Sequence, residues 1–208
     1  MSDIGLRERK KLRTRRLIAD TAARLFAERG YEHVTVSDVA REAEVSEQTV
    51  YNYFQSKEEL VTDLDQQVQD RLCRLIRARL PGTTPAAAIR DFTLEFVEGI
   101  RRIDPQLSRG ELGYLAAISP TVHRLSLEMS DRQATALAEV IHETGSIAPE
   151  VARLEGIALA GVFQIIVSEA GRRTREGQSQ EQIADELRPV VLEMLDDLDR
   201  WLMGAATD

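Results

Sequence analysis

Apolar residues recur along this chain at helical spacing, and no segment sustains the alternation of a half-buried strand. Ile18, Ala22, Leu25 and Phe26 fall on one face of a first helix, and Gly30 supplies its C-terminal stop. Val36, Val39, Ala40 and Ala43 mark a short second helix with Thr35 as N-cap. Ser46 caps a third, whose inward face is Val50 and Phe54. Ser56-Lys57-Glu58-Glu59 reads as a capping box that starts a fourth helix running to Leu80, before Pro81-Gly82. Beyond that break the pattern predicts helices over Pro85–Ile103, Pro105–Ile118, Pro120–Glu143, Pro149–Arg175 and Gln180–Leu202. Pro85, Pro105, Pro120 and Pro149 stand where a helix start tolerates proline, whereas Pro189 should kink or split the last helix. The tail from Gly204 to Asp208 should fray. The fold class expected is all-α, with three small N-terminal helices followed by a helical bundle.

Two short helices joined by a tight turn, the second polar on its outer face, describe a helix-turn-helix. With Val50 and Phe54 inward, Glu47, Gln48, Tyr51 and Asn52 face out, and Gln48 and Asn52 lie one turn apart. Glutamine and asparagine suit bidentate reading of adenine in the major groove. Thr49, Tyr51, Tyr53 and Lys57 offer hydroxyls and an ammonium for phosphates, and Thr35 opens the second helix where a phosphate can dock.

Charge changes the picture at one end. The 208 residues carry a formal net charge of -8, which argues at first sight against a polyanionic partner. Residues 1–29 nevertheless hold nine basic and four acidic residues, while residues 61–208 hold 16 basic and 24 acidic ones. The asymmetry points to an N-terminal polyanion reader on a body that discourages indiscriminate binding. The basic Arg7–Arg16 segment is placed to reach either the minor groove or the flanking phosphates. Composition bounds the rest: one cysteine (Cys73) excludes an intrachain disulfide and suits a reducing compartment. No N-terminal apolar run resembles a signal peptide, and the most apolar stretch, Gly156–Val167, is too short to cross a bilayer. A cytoplasmic protein without a membrane partner is expected.

The run TVSDVAREAEVSEQTVYNYFQSKEELV, from Thr35 to Val61, resembles the DNA-binding region of the TetR family of bacterial regulators. The likeness rests on Thr35-Val36 with Asp38, Val39 and Ala40, on Val45-Ser46, on Thr49-Val50-Tyr51-x-Tyr53-Phe54, and on Lys57-Glu58-Glu59-Leu60. It covers about residues 12–62; the rest agrees only in helical character. Two positions depart from it: Glu44 stands in the turn where the family often has glycine, and Gln48 replaces another frequent glycine. The resemblance implies a DNA-binding domain over residues 1–56 and a ligand-binding and dimerisation domain over 57–208. DNA contacts would come from Thr35, Ser46, Gln48, Thr49, Tyr51, Asn52, Tyr53 and Lys57. It further implies a homodimer through the last two helices on a palindromic operator. The expected function is a repressor released by a small, largely apolar effector, with a hinge at the fourth helix.

Apolar surface on both sides of the last two helices fits such a dimer, and a purely intramolecular core is the alternative. Phe92, Phe96, Tyr114, His123, Phe163, Gln164 and Ser168 are the candidate effector-lining residues, each also explicable as core. Other readings stay open: a ligand-dependent activator, or a helical adaptor that binds only protein. Enzymatic activity has little support, since no catalytic constellation or cofactor motif is found. Asp196, Asp197 and Asp199 form one isolated acidic run, and His33, His123 and His142 lack metal-ligand spacing.

Overall fold

The computed structural model describes residues 5–63, 65–145 and 147–205. Among them nine α-helices follow one another: α1 (Leu6–Arg29), α2 (Val36–Glu42), α3 (Glu47–Tyr51), α4 (Asp65–Arg77), α5 (Pro85–Gly99), α6 (Leu112–Ala116), α7 (Pro120–Thr144), α8 (Pro149–Arg175) and α9 (Gln180–Ala205). Single 3-10 turns stand at Tyr31–His33, Glu58–Leu60, Ile100–Arg102 and Ser108–Gly110. The fold class read from the sequence is the one found.

Local chemistry explains most boundaries. Gly30 closes α1 at φ 80°, Thr35 and Asp38 form a reciprocal capping box on α2, and Ser46, Thr84 and Ser119 cap α3, α5 and α7 through side-chain oxygens. Between α2 and α3 the chain turns through Glu44 at φ 54°, the left-handed conformation the glycine departure foreshadowed. A side chain held there costs about 1 kcal/mol. Glu44→Gly should therefore stabilise the protein by about 0.5–1 kcal/mol, read as a raised midpoint in thermal melting; a lowered midpoint would mean that Glu44 has a compensating contact.

Three expectations need correction. The fourth helix does not run unbroken from Ser56: a 3-10 turn at Glu58–Leu60 and a bend through Val61–Asp63 precede α4. The cause is tertiary, because Arg15 on α1 reaches across to the Asp63 carboxylate, with its Nε donating at 2.8 Å. Residues Pro105–Ile118 do not form one helix but a 3-10 turn and the five-residue α6. Pro189 does not split α9; its ring lies on the exposed face, where it meets solvent rather than a packed neighbour. Helix α9 continues through Gly204 to Ala205, and the rest of the tail expected to fray lies outside the described residues.

The head, α1 to the 3-10 turn at Glu58–Leu60, packs around Ile18, Ala22, Leu25, Phe26, Val39, Val50, Phe54 and Leu60. Leu115 of α6 and Val122 of α7, both fully buried, belong to this same cluster. Burying such side chains contributes on the order of 1.5–3 kcal/mol each, so body residues complete the core of the head. Glu32 strengthens the junction by accepting a 2.7 Å hydrogen bond from the Ser119 hydroxyl. Bonds from Ser119 and Thr121 hold its carboxyl below the usual range. A second cluster joins α4, α5, α7 and α8 around Leu72, Ile76, Ile89, Leu137, Leu159 and Phe163. A third joins α5, α8 and α9 around Val97, Ile166, Ile183, Leu187 and Leu195.

Candidate nucleic-acid interface

Helices α2 and α3 meet across the Glu44 turn with Val39, Ala40, Ala43 and Val50 buried between them and α1. Burying one side of a helix as short as α3 forces the other side outward. Gln48, Tyr51 and Asn52 are exposed there, Tyr51 by 46%. Gln48 Nε2 donates to Asn52 Oδ1 at 3.2 Å, so the two amides are held side by side as a pre-oriented pair. The remaining donors and acceptors of such a pair are what a base edge would meet.

The other expected contact residues are more engaged in the fold. The Thr35 hydroxyl accepts from Asp38 N at 3.1 Å and donates to Asp38 Oδ2 at 2.6 Å. A phosphate must therefore compete with Asp38, whose carboxyl these bonds hold down at about 2. Ser46 spends its oxygen on the Thr49 amide at 3.1 Å and shares a proton with the Thr49 hydroxyl at 2.8 Å. Tyr53 is half-buried against the head core. Lys57 lies 3.9 Å over the Tyr31 ring, and burial pushes its ammonium pKa down. The structure thus gathers all eight on the two helix starts and the turn after α3, with Gln48, Tyr51 and Asn52 the most accessible.

On α1, Arg7, Arg9, Lys10, Lys11, Arg13 and Arg16 are exposed along a continuous helix rather than an extended arm. Arg15 is not part of that surface. Besides Asp63 it donates to the Tyr53 carbonyl at 2.6 Å and stacks 4.4 Å from the Phe54 ring, so it ties α1 to the end of the helix-turn-helix. Arg24 does the same for α2 by donating to Glu42 at 2.9 Å. Periodicity along the sequence does not signal either residue's role, because each depends on a partner distant in the chain.

Of the seven candidate effector-lining residues, Phe92, Phe96 and Phe163 are brought together and the other four side chains are placed elsewhere. Phe163 of α8 packs against Phe96 at 5.5 Å and Phe92 at 6.3 Å, both on α5. Gln164 accepts from the Ser130 hydroxyl of α7 at 3.0 Å. Ser168 is exposed and turned back onto its own helix at the Ile165 carbonyl. Tyr114 packs against the head core. His123 lines an open depression of about 460 Å³ at the α6–α7 corner with Ala116, Ala117, Ile118, Ser119 and Pro120.

Elsewhere, Asp196, Asp197 and Asp199 are separately engaged by Arg90, Arg200 and Thr84. Among the described residues no acidic, histidine or cysteine group is arranged to hold a metal ion. Cys73 is half-buried, with burial raising its thiol pKa, the opposite of what activates a thiol.

A capped helix pair with a polar second helix, packed on a helical body, defines a helix-turn-helix DNA-binding protein. Residues 18–64 match the family described as bacterial regulatory proteins, tetR family. The transcriptional regulator TcmR of Streptomyces glaucescens is 29% identical over 164 residues, 77% of this chain and 68% of that protein. DhaS of Lactococcus lactis, the activator of the dhaKLM operon, is 37% identical over 62 residues, 30% of this chain and 33% of its own length. Among solved structures, NalD of Pseudomonas aeruginosa, the secondary repressor of the MexAB-OprM multidrug efflux pump, shares the fold at a TM-score of 0.54. It is 20% identical, with 88% of this chain and 97% of NalD covered. Residues 18–64 thus carry the DNA-binding region of the tetR family, and the chain as a whole is similar to TetR-family transcriptional regulators.

Proposed function

We propose that the protein is a cytoplasmic homodimer that represses transcription from a palindromic operator and leaves it when a small, largely apolar effector binds the body. The observation that carries the DNA half of this reading is the exposed Gln48–Tyr51–Asn52 surface on a helix whose other face is buried. Direct readout falls to Gln48 and Asn52, and phosphate contacts to Thr35, Ser46, Thr49, Tyr51, Tyr53 and Lys57. The division of labour follows residues 1–56 and 57–208, although the two parts share Leu115 and Val122.

The dimer half rests on α8. Leu154, Ile157 and Ile165 are 53%, 49% and 43% exposed on one face, and Gly161 between them has open space where a side chain would stand. Val190 and Trp201 of α9 are exposed as well, at 43% and 41%. By length and composition α8 is apolar enough to cross a membrane. Its inner face, though, is packed into the bundle through Leu159, Phe163 and Ile166. A second copy of the chain is the cover that suits the outer face. For release, the bend at Val61–Asp63 supplies the hinge between head and α4. Phe92, Phe96 and Phe163 supply an apolar cluster that an effector would have to part, with Tyr114, His123, Gln164 and Ser168 as secondary candidates. Activation by an effector is the second reading, which the resemblance to the activator DhaS favours.

The test is a fluorescence-anisotropy titration on DNA selected from a random duplex library. Wild-type protein should bind the selected site tightly and with strong salt dependence. Tyr51→Ala should lose at least a hundredfold in affinity while the dimer remains. Weak binding that random DNA displaces equally well would sink the regulator reading, and a monomeric Tyr51→Ala product would move Tyr51 from DNA contact to assembly.

A further inference from the structure

Glu47, the first residue of α3, is an anomaly on a surface meant for a polyanion. It is exposed, and among the described residues no cation pairs with it. Its Oε1 instead accepts a 2.6 Å hydrogen bond from the hydroxyl of Ser37, the second residue of α2. The bond crosses from one helix of the motif to the other, so the carboxylate is fixed relative to both.

A carboxylate in that position accepts hydrogen bonds and donates none. Toward phosphate oxygens, which are acceptors themselves, it is repulsive at every sequence. Toward base edges it is selective: in the major groove the cytosine N4 amino group is the natural donor to a glutamate, whereas guanine presents only acceptors there. Adenine also offers an N6 donor, but its N7 acceptor stands beside it and opposes the second carboxylate oxygen. Glu47 therefore favours complexes that place a cytosine amino group against it and penalises the others. The neighbouring Gln48–Asn52 pair has both donors and acceptors and cannot discriminate in this one-sided way.

We propose that Glu47 is a specificity-determining residue, its carboxylate positioned by Ser37 to require cytosine at one major-groove position of each half-site and to suppress binding to DNA that lacks it. The proposal rests on the DNA-binding reading given above. Glu47 is the reading group, and Ser37 is a positioning residue that acts through it.

Full-length wild type, Glu47→Gln and Ser37→Ala are each put through selection from a random duplex library. Each is then titrated against single-base-pair variants of the wild-type site and against random DNA, with thermal melting alongside. Wild type should retain one cytosine per half-site, with replacement costing about tenfold or more in affinity. Glu47→Gln should lose that preference at this position alone, shifting it toward adenine, and should bind random DNA several-fold more tightly. Ser37→Ala should blur the same position several-fold with little change on random DNA. A merely structural Ser37–Glu47 bond would lower the melting midpoint but leave every base preference intact, and that result overturns the proposal. So does a Glu47→Gln protein that gains affinity equally for all sequences, since repulsion without readout would then be the whole effect. If the wild type enriches no sequence at all, the DNA-binding reading fails first and this proposal with it; enrichment without a Glu47-dependent cytosine overturns this proposal alone.

Discussion

Gly113→Val should be among the most damaging single substitutions in this chain, with a loss of about 3 kcal/mol or more. Helix α6 lies on α8 with backbone against backbone: a Cβ at Gly113 would land on the Val167 carbonyl, and one at Gly171 on the backbone of Gly113. Neither neighbour is a flexible side-chain end that can swing away, so a side chain must drive the helices apart. Overpacking a core costs typically 1–3 kcal/mol where side chains can adjust, and more where they cannot. The damage would not stay local. Two residues further on, Leu115 sits in the head core. Three residues earlier, Gly110 packs so closely on the Ala23 carbonyl of α1 that a methyl group has no room there either. Displacing α6 thus withdraws a side chain from the head and loosens its seat on the body. A fall in the melting midpoint of roughly 6–12 °C is expected for a chain of this size. Proteolysis of the head should increase in parallel. Gly99→Val is the control for stability, since a Cβ there meets only the movable end of the Arg102 side chain, at 3.8 Å. Equal midpoints for the Gly113 variant and wild type would mean that α6 can lift off α8 without cost.

The same contacts show which parts of the molecule can be read along the chain. Boundaries set by neighbouring residues were legible: Thr35 and Ser46 cap where they were expected to, and Pro120 and Pro149 open α7 and α8. Glu44 adopts the left-handed turn that the departure from glycine implied. Boundaries set by distant residues were not. Asp63 bends the chain after the 3-10 turn because Arg15, 48 positions away, takes its carboxylate. The segment Pro105–Ile118 carries helix-compatible residues, yet it breaks into short pieces where Gly110 and Gly113 meet α1 and α8 backbones. For the site, outward-facing positions on α3 follow from the burial of Val50 and Phe54, which the spacing already implied. The Ser37–Glu47 bond does not, because periodicity says which residues share a face and not which side chains from two helices touch. The effector candidates are a related case: spacing places Phe92, Phe96 and Phe163 inward but is silent on which of them meet, and here Phe163 packs against both Phe96 and Phe92.

Replacing Gly161 by arginine, with Ile157→Arg beside it, should convert the protein from dimer to monomer and cost more DNA affinity than any single contact residue. The seam Leu154, Ile157, Gly161, Ile165 repeats every three to four residues along one face of α8, the spacing by which two helices interlock. With Gly161 bare, a partner backbone can approach closely at the centre, and each exposed leucine or isoleucine around it gains on the order of 1–2 kcal/mol if it becomes buried. Two guanidinium groups there, facing their symmetry copies, would bring four like charges into an apolar seam. Because Ile157 is exposed and a side chain at Gly161 meets nothing within one chain, the subunit's own three core clusters are untouched, and helix content and the near-UV spectrum should persist. Sedimentation should then report a species of 23.3 kDa instead of twice that mass. On DNA the consequence is larger than the interface itself. A dimer that has placed one head presents the second at high effective concentration, a gain of about 10²–10⁴ that a monomer forfeits. Affinity for a palindromic site should fall by about that factor, whereas affinity for an isolated half-site should barely change. If mass and palindrome affinity both survive the double substitution, the outer face of α8 is not where two copies meet, and the spacing of the two heads must be set by another surface.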